Sequence, residues 1–286
     1  MARLDATLCL AAAALLALPP LAACRANIPP VDEHGRVQGQ PRNDALTPES
    51  TVDEVLDALD RVGRDLRTLH TAVVLTEIDL ITGKPVKRAG NVYLQRGDEG
   101  VTFRAAFDRV VVEDASGKEV MRPEKVEYVL RGDELIDRDY AKRTQVTRKL
   151  PPEQKGRDLL KLGEGPFPLP IGQSKEEVRK QFEVTEVNPA DPNQNELEVT
   201  AEPGTRRLRL TPRENSPLAK DFAYVEIDVS LAEGKPVQVI TLDTRGETAR
   251  VTRLRSFVVN EALPADAFAL EPIDARQWNV SVEEMR

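Results

Sequence analysis

The chain is poor in the residues that most enzymatic and nucleic-acid chemistry needs. Its 286 residues include two histidines, His34 and His70, and two cysteines, Cys9 and Cys24. A conventional zinc site takes four nitrogen or sulfur ligands, and these few side chains are too scattered to supply one. A Ser-His-Asp arrangement needs a histidine on the folded part, and only His70 is available, at the end of a helical pattern. There is no Gly-Xaa-Ser-Xaa-Gly elbow and no phosphate-cradling glycine-rich loop after a strand. Aromatics make up 4% of the chain, too few for base-stacking platforms. Acidic residues outnumber basic ones, 48 to 40, so the surface has no electrostatic reason to seek phosphate. The carboxylates fall on the polar faces of strands and helices, where solvation explains them and no pair stands out. The reading is a non-enzyme without metal, cofactor or nucleic-acid partner.

Long apolar runs are missing too. The longest, Leu8 to Leu18, is too short to span a bilayer and is closed by Pro19-Pro20. Leu21-Ala22-Ala23-Cys24 then has the Leu-small-small-Cys form of a bacterial lipobox. Residues 1–23 read as a signal peptide and Cys24 as the lipidation site. Cys9 is lost with the signal, so no intramolecular disulfide can form. Arg25 follows Cys24 and, by analogy with enteric lipoproteins, points to the outer membrane, facing the periplasm. Residues 24–48 hold four prolines and scattered charge, the composition of a flexible tether. A lipid anchor here is the expected link to the membrane.

What the chain has in abundance is period-two alternation, the mark of strands with one face buried and one wet. It is clearest from Arg206 to Val259. There Val225, Ile227 and Val229 share one face, while Glu226, Asp228 and Ser230 share the other, read as wet. Residues 71–150 show the same pattern, interrupted by glycine-bearing turns, and strands are also expected at 183–188 and 195–202. One-sided alternation argues for antiparallel pairing. The segments Ile78–Val86 and Ile227–Val237 share Gly-Lys-Pro-Val, which reads as one hairpin solution used twice.

Such a sheet needs cover for its apolar face. The first candidate is a helix of about 18 residues at 52–69, with a Thr51/Glu54 capping box and an apolar stripe from Val52 through Leu69. The second is the insert at 151–182, where the apolar loop Phe167–Ile171 precedes a short helix capped by Ser174 and Glu177. That loop should bury its apolar groups against the sheet or against a ligand. The fold class is therefore α+β. An antiparallel curved sheet is capped by an N-terminal helix and a helical insert in a domain at 49–274, followed by a tail at 275–286.

The order of motifs in the second half resembles the LolA/LolB-like outer-membrane lipoprotein carrier family. It runs from Leu208-Arg209-Leu210-Thr211-Pro212 through Asp243-Thr244-Arg245-Gly246 to Leu263-Pro264-Ala265-Asp266-Ala267-Phe268. The similarity covers roughly residues 50–272. It implies a half-barrel of about eleven strands whose concave face holds acyl chains of lipoproteins or lipids. The positions it implies as lining are Val92, Leu94, Phe103, Phe107, Val126, Tyr128, Leu130, Leu208, Leu210, Val225, Ile227 and Val229. Family members use an arginine to hold the cover shut, and Arg96 aligns with it, although Gly97 stands where the family has proline. The anchored N-terminus is LolB-like and the strand pattern LolA-like. The expected function is acyl-chain binding by a monomer in lipoprotein transport. The alternative on the same fold is an envelope-stress module like MucB/RseB that binds a protein partner, with an envelope hydrolase as the remote third.

Overall fold

The computed structural model describes residues 45–97, 100–114, 116–150 and 173–284. The expected signal peptide, Cys24, most of the expected tether and most of the 151–182 insert lie outside these residues.

The alternating segments form strands β1 (Thr68–Asp79), β2 (Lys84–Gly97), β3 (Gly100–Glu113), β4 (Glu119–Arg131), β5 (Glu134–Asp139) and β6 (Thr144–Lys149) in the first half. The second half adds β7 (Phe182–Val187), β8 (Thr205–Pro212), β9 (Phe222–Ser230), β10 (Pro236–Asp243) and β11 (Thr248–Val259). Two helices, α1 (Val52–Arg64) and α2 (Lys175–Gln181), and a final strand, β12 (Asn279–Glu284), complete the set. All twelve strands belong to one open, curved sheet in the order β12-β6-β5-β4-β3-β2-β1-β11-β10-β9-β8-β7. Two meanders are thus joined side by side through the antiparallel β1–β11 pair. The twin hairpins are the same structure. In each, the amide of the turn glycine (Gly83, Gly234) donates to the carbonyl four residues back, at 2.7 and 2.8 Å, and the glycine takes a φ of 69° or 64°, where a side chain would be strained.

Register rows show how the faces are built. Leu69, Leu94, Phe103, Leu130 and Leu135 lie opposite one another in turn across β1 to β5. They join Leu208, Leu210, Val225, Ile227 and Val229 in a single buried cluster that also contains Val55, Leu56 and Leu59 of α1. The concave face is therefore continuous over both meanders and is covered by helix.

Five expectations need correction. Helix α1 ends at Arg64 rather than near residue 69. Leu69 sits in β1, because the chain from Thr68 onward pairs with β2 and β11, and the helical spacing of Leu66 and Leu69 is coincidental. Residues 195–202 form turns and coil, not a strand. The tether's last residues are docked, with Leu46 buried and its amide donating to the Leu231 carbonyl at 3.0 Å. Residues 279–284, read as tail, form β12, which pairs with β6 in parallel and brings the strand count to twelve.

The fifth correction concerns the face read as wet on β8 and β9. Asp228 is fully buried and Glu226 is 2% exposed. The non-strand segment 188–204 lies over them. Arg207 binds Asp228 with Nε at 2.6 Å and Nη2 at 2.9 Å, and its Nη1 donates to the Val199 carbonyl at 3.0 Å. Gln238 donates to Asp228 at 2.8 Å and to the Thr200 carbonyl at 3.1 Å. Arg209 pairs with Glu226 and stacks its guanidinium 4.3 Å from the Tyr224 ring centre. Burial pushes the Glu226 carboxyl up against the pull of Arg209, and it pushes the Tyr224 phenol up to about 12. Alternation identified the polar face correctly, but the loop that buries it has no periodicity to read.

A buried bidentate pair is costly to break from one side. Asp228→Asn should lower unfolding free energy by about 3–5 kcal/mol in urea titration, because Arg207 loses its bidentate partner and keeps a buried charge with only the longer contact to Glu226 at 3.5 Å. Arg109→Ala, which removes a solvent-exposed pair with Asp108, should change it by no more than about 0.5 kcal/mol.

Candidate functional site

The concave face is the candidate site because it gathers the apolar positions of both meanders. Among the residues singled out from sequence, Val92, Leu94, Phe103, Phe107, Leu130, Leu208, Leu210, Val225, Ile227 and Val229 share the one buried cluster. Tyr128 is half-buried and packs against it. Val126 is buried but lies outside the cluster, one row nearer the open end. Sequence reading missed Leu69, Val73, Ala105, Val239 and Leu254, which belong to the same cluster. Leu69 had been read as the end of the helix, and for all of them the register that places them on this face comes from pairing.

A bulge settles the face of the last strand. Strict alternation puts Val251 and Phe257 on the side of Arg253 and Arg255. Register pairs Leu254 with Val73, so Leu254 takes the concave side and Val251, Arg253 and Arg255 the other. Between Ala72 and His70 the β1–β11 register then shifts, and Ser256 adopts a φ of 52°. This extra residue returns Phe257 to the apolar cluster.

The cover is α1. Its capping box is complete, with the Glu54 amide donating to Thr51 Oγ1 at 3.3 Å and the Thr51 amide donating to Glu54 Oε2 at 2.8 Å. The other end is held by Arg96. From β2 its guanidinium donates to the Gly63 carbonyl at 2.6 Å and the Leu66 carbonyl at 3.3 Å. Gly63 lies in the last turn of α1 and Leu66 just past its C-cap, so a cation there also suits the helix dipole. Helix α2 buttresses α1 from the side. Its own capping box at Ser174 and Glu177 is complete, Arg179 pairs with Asp53, and Lys175 reaches Asp57 at 3.1 Å. The hydrogen bond from Arg179 holds the Asp53 carboxyl below its ordinary value. Asn260 Nδ2 also donates to the Asp65 carbonyl at the helix C-cap at 2.9 Å, and the ion pairs to α2 are exposed and individually weak.

The convex face carries a different surface. Residues 263–278 cross it: Arg104 donates to the Ala267 carbonyl at 3.1 Å, Arg131 reaches the Phe268 carbonyl, and Arg138 donates to the Glu271 carbonyl at 2.7 Å. Trp278 then packs edge-on to Tyr140, with ring centres 5.1 Å apart, and leads into β12. A cleft of about 600 Å³ opens here between Tyr93, Arg104, Lys125, Glu127 and Tyr140. Its walls mix these charged groups with apolar ones, Ala106, Pro123 and Ala141 among them. The described residues contain no group of three or more His, Cys, Asp or Glu side chains that could hold a metal ion, and no helix among them is long and apolar enough to cross a membrane.

Two measurements follow for the cover. Arg96→Ala should speed amide hydrogen exchange across Val52–Arg64 more than in the sheet, at a cost of about 1–3 kcal/mol. Because Asp53 titrates lower in the folded chain, its contribution is in force above the ordinary carboxylate range. It is lost as pH falls through the depressed value, so exchange in α1 should rise in acid, and less so in Asp53→Asn.

The chain matches no protein-family model, and it has no match among curated proteins. Solved structures are similar to it at low identity. One is an uncharacterized conserved protein from Thermus thermophilus, 14% identical, covering 82% of this chain and 100% of that one, with a TM-score of 0.44. The MucA/MucB complex of Pseudomonas aeruginosa is 11% identical, with 76% of this chain and 61% of that one covered and a TM-score of 0.41. A LolA superfamily protein from Nitrosomonas europaea is 12% identical over 77% of this chain and 98% of that one, with a TM-score of 0.34.

Proposed function

We propose that this chain is a lipid-anchored, LolA-like binding protein of the bacterial envelope, tethered through Cys24 to the outer membrane on its periplasmic side. It takes acyl chains of lipoproteins or lipids against its concave face, in lipoprotein transport, and makes or breaks no bond. The observation that carries this reading is the continuous apolar concave face, closed by a short amphipathic helix instead of a second sheet. Hydrocarbon can replace such a cover like for like. Each methylene buried is worth about 0.8 kcal/mol, so a single long chain offsets the contacts of several leucines. Arg96 at the helix end and the exposed pairs to α2 make the cover a unit that leaves the sheet without breaking a strand. The face lacks charge at its apolar end, which suits a ligand that offers nothing but carbon and hydrogen.

One observation favours the alternative, a MucB/RseB-like module that binds a protein partner. β12 is an edge strand with Val280 and Val282 exposed, and an open edge can pair with a partner's strand.

The test uses the chain from residue 24 onward with Cys24→Ser, so that its own anchor does not compete. Native mass spectrometry should find co-purifying acyl ligand, and a fluorescent fatty acid should bind saturably. A chain that purifies empty and takes up no fatty acid would end the carrier reading. A stoichiometric protein partner recovered from membranes, with no acyl ligand, would favour the alternative. In cells, Cys24→Ser should move the protein from the membrane fraction to the periplasm.

A further inference from the structure

The concave face changes character along its strands. Its closed end is the leucine and phenylalanine row under α1. The next row runs Thr71, Val92, Ala105, Tyr128, Asp137, and the one after it runs Val73, Gly90, Phe107, Val126, Asp139. Beyond these, Arg88 lies opposite Leu75, and Glu77 follows two residues on along β1. Polarity therefore increases toward the turns at 79–84 and 139–144. There the same face forms a cleft of about 290 Å³ whose charged walls are Glu77, Arg88, Asp137, Asp139 and Lys142. Val126 and Tyr128 line this cleft and also continue the apolar lining, so the two regions are contiguous.

Resting on the acyl-binding reading above, we infer that this cleft is the head-group site of the ligand, and that the ligand is a zwitterionic amphiphile whose head carries an ammonium group beside a phosphate. The charges select that class. An anionic head alone would face three carboxylates with two cations to receive it, and a cationic head alone would face Arg88 and Lys142. A head with both signs meets both, and juxtaposed like charges are what discriminate against the others. The resident ion pairs do not block the site. Arg88 pairs with Glu124 at 3.0 Å, Glu77 with Arg250 at 2.9 Å, Lys142 with Asp139 at 2.9 Å, and Asp137 with Arg148 at 3.5 Å. All are partly solvated, so exchanging one of them for a ligand charge costs little. Tyr128 stands where the apolar rows meet the charged ones, and burial raises its phenol above the ordinary value.

The test is displacement of a bound fluorescent fatty acid from the Cys24→Ser chain by three competitors of one chain length: lysophosphatidylethanolamine, lysophosphatidylglycerol and the free fatty acid. The ethanolamine lipid should act at about one-tenth the concentration of the other two, the size expected when a complementary charge pair replaces a like-charge contact. The double variant Glu77→Gln/Asp137→Asn should erase that preference, because displacement by the two anionic lipids strengthens while displacement by the ethanolamine lipid weakens. Arg88→Gln should weaken both phospholipids. Circular dichroism on each variant confirms that the fold is intact. Equal displacement by all three lipids, unchanged in the double variant, overturns the head-group site while acyl binding stands. No uptake of any acyl probe overturns the acyl-binding reading itself, and this inference with it.

Discussion

A curved sheet that buries leucine, valine and phenylalanine on its inner face cannot leave that face in water. Each large apolar side chain exposed would forfeit about 1.5–3 kcal/mol. The demand for cover organises the rest of the chain. It explains why an amphipathic helix precedes the first strand, why α2 stands beside it, and why Arg96 reaches across from β2 to hold the helix end. It also explains the order of the meanders. Joining them at β1 and β11 places the two leucine-rich halves edge to edge, so that one helix can serve both.

The outer face meets the same demand by a different route. Charged side chains of β8 and β9 are turned away from solvent and satisfied among themselves, with the carbonyls of Val199 and Thr200 completing the network. On the first meander, Arg104, Arg131 and Arg138 fasten residues 263–278 in the same manner, by donating to backbone carbonyls. Arginine suits this task because its fork reaches several acceptors at once and remains charged. The outer face of the second meander is pinned by buried multidentate contacts, while the inner cover is fastened by Arg96, Asn260 and surface pairs. Local stability should differ accordingly, with the cover as the part that opens first.

How far the sequence could be read follows from what each feature depends on. Capping boxes at Thr51 and Ser174, the alternation of Val225, Ile227 and Val229, and the paired Gly-Lys-Pro turns are local, and each is found in the fold as the residues suggest. The misreadings involve contacts between distant segments. Leu66 and Leu69 continue a helical spacing, yet pairing with β2 and β11 takes Leu69 into a strand. Glu226 and Asp228 look solvated until the irregular 188–204 segment is laid over them. One inserted residue near Ser256 reverses the side on which Phe257 falls, which no periodic template registers. The polar end of the concave face was hidden for a similar reason: Asp137 and Lys142 belong to different elements and meet Glu77 and Arg88 only through register.

The central claim is that α1 leaves the concave face when ligand enters. The most direct measurement is amide hydrogen exchange across Val52–Arg64 in the Cys24→Ser chain, with and without saturating fatty acid. Exchange in α1 should rise with the ligand bound while the sheet stays protected. Unchanged or slower exchange in α1 with the ligand bound would contradict the claim, because the ligand would then bind without the helix moving.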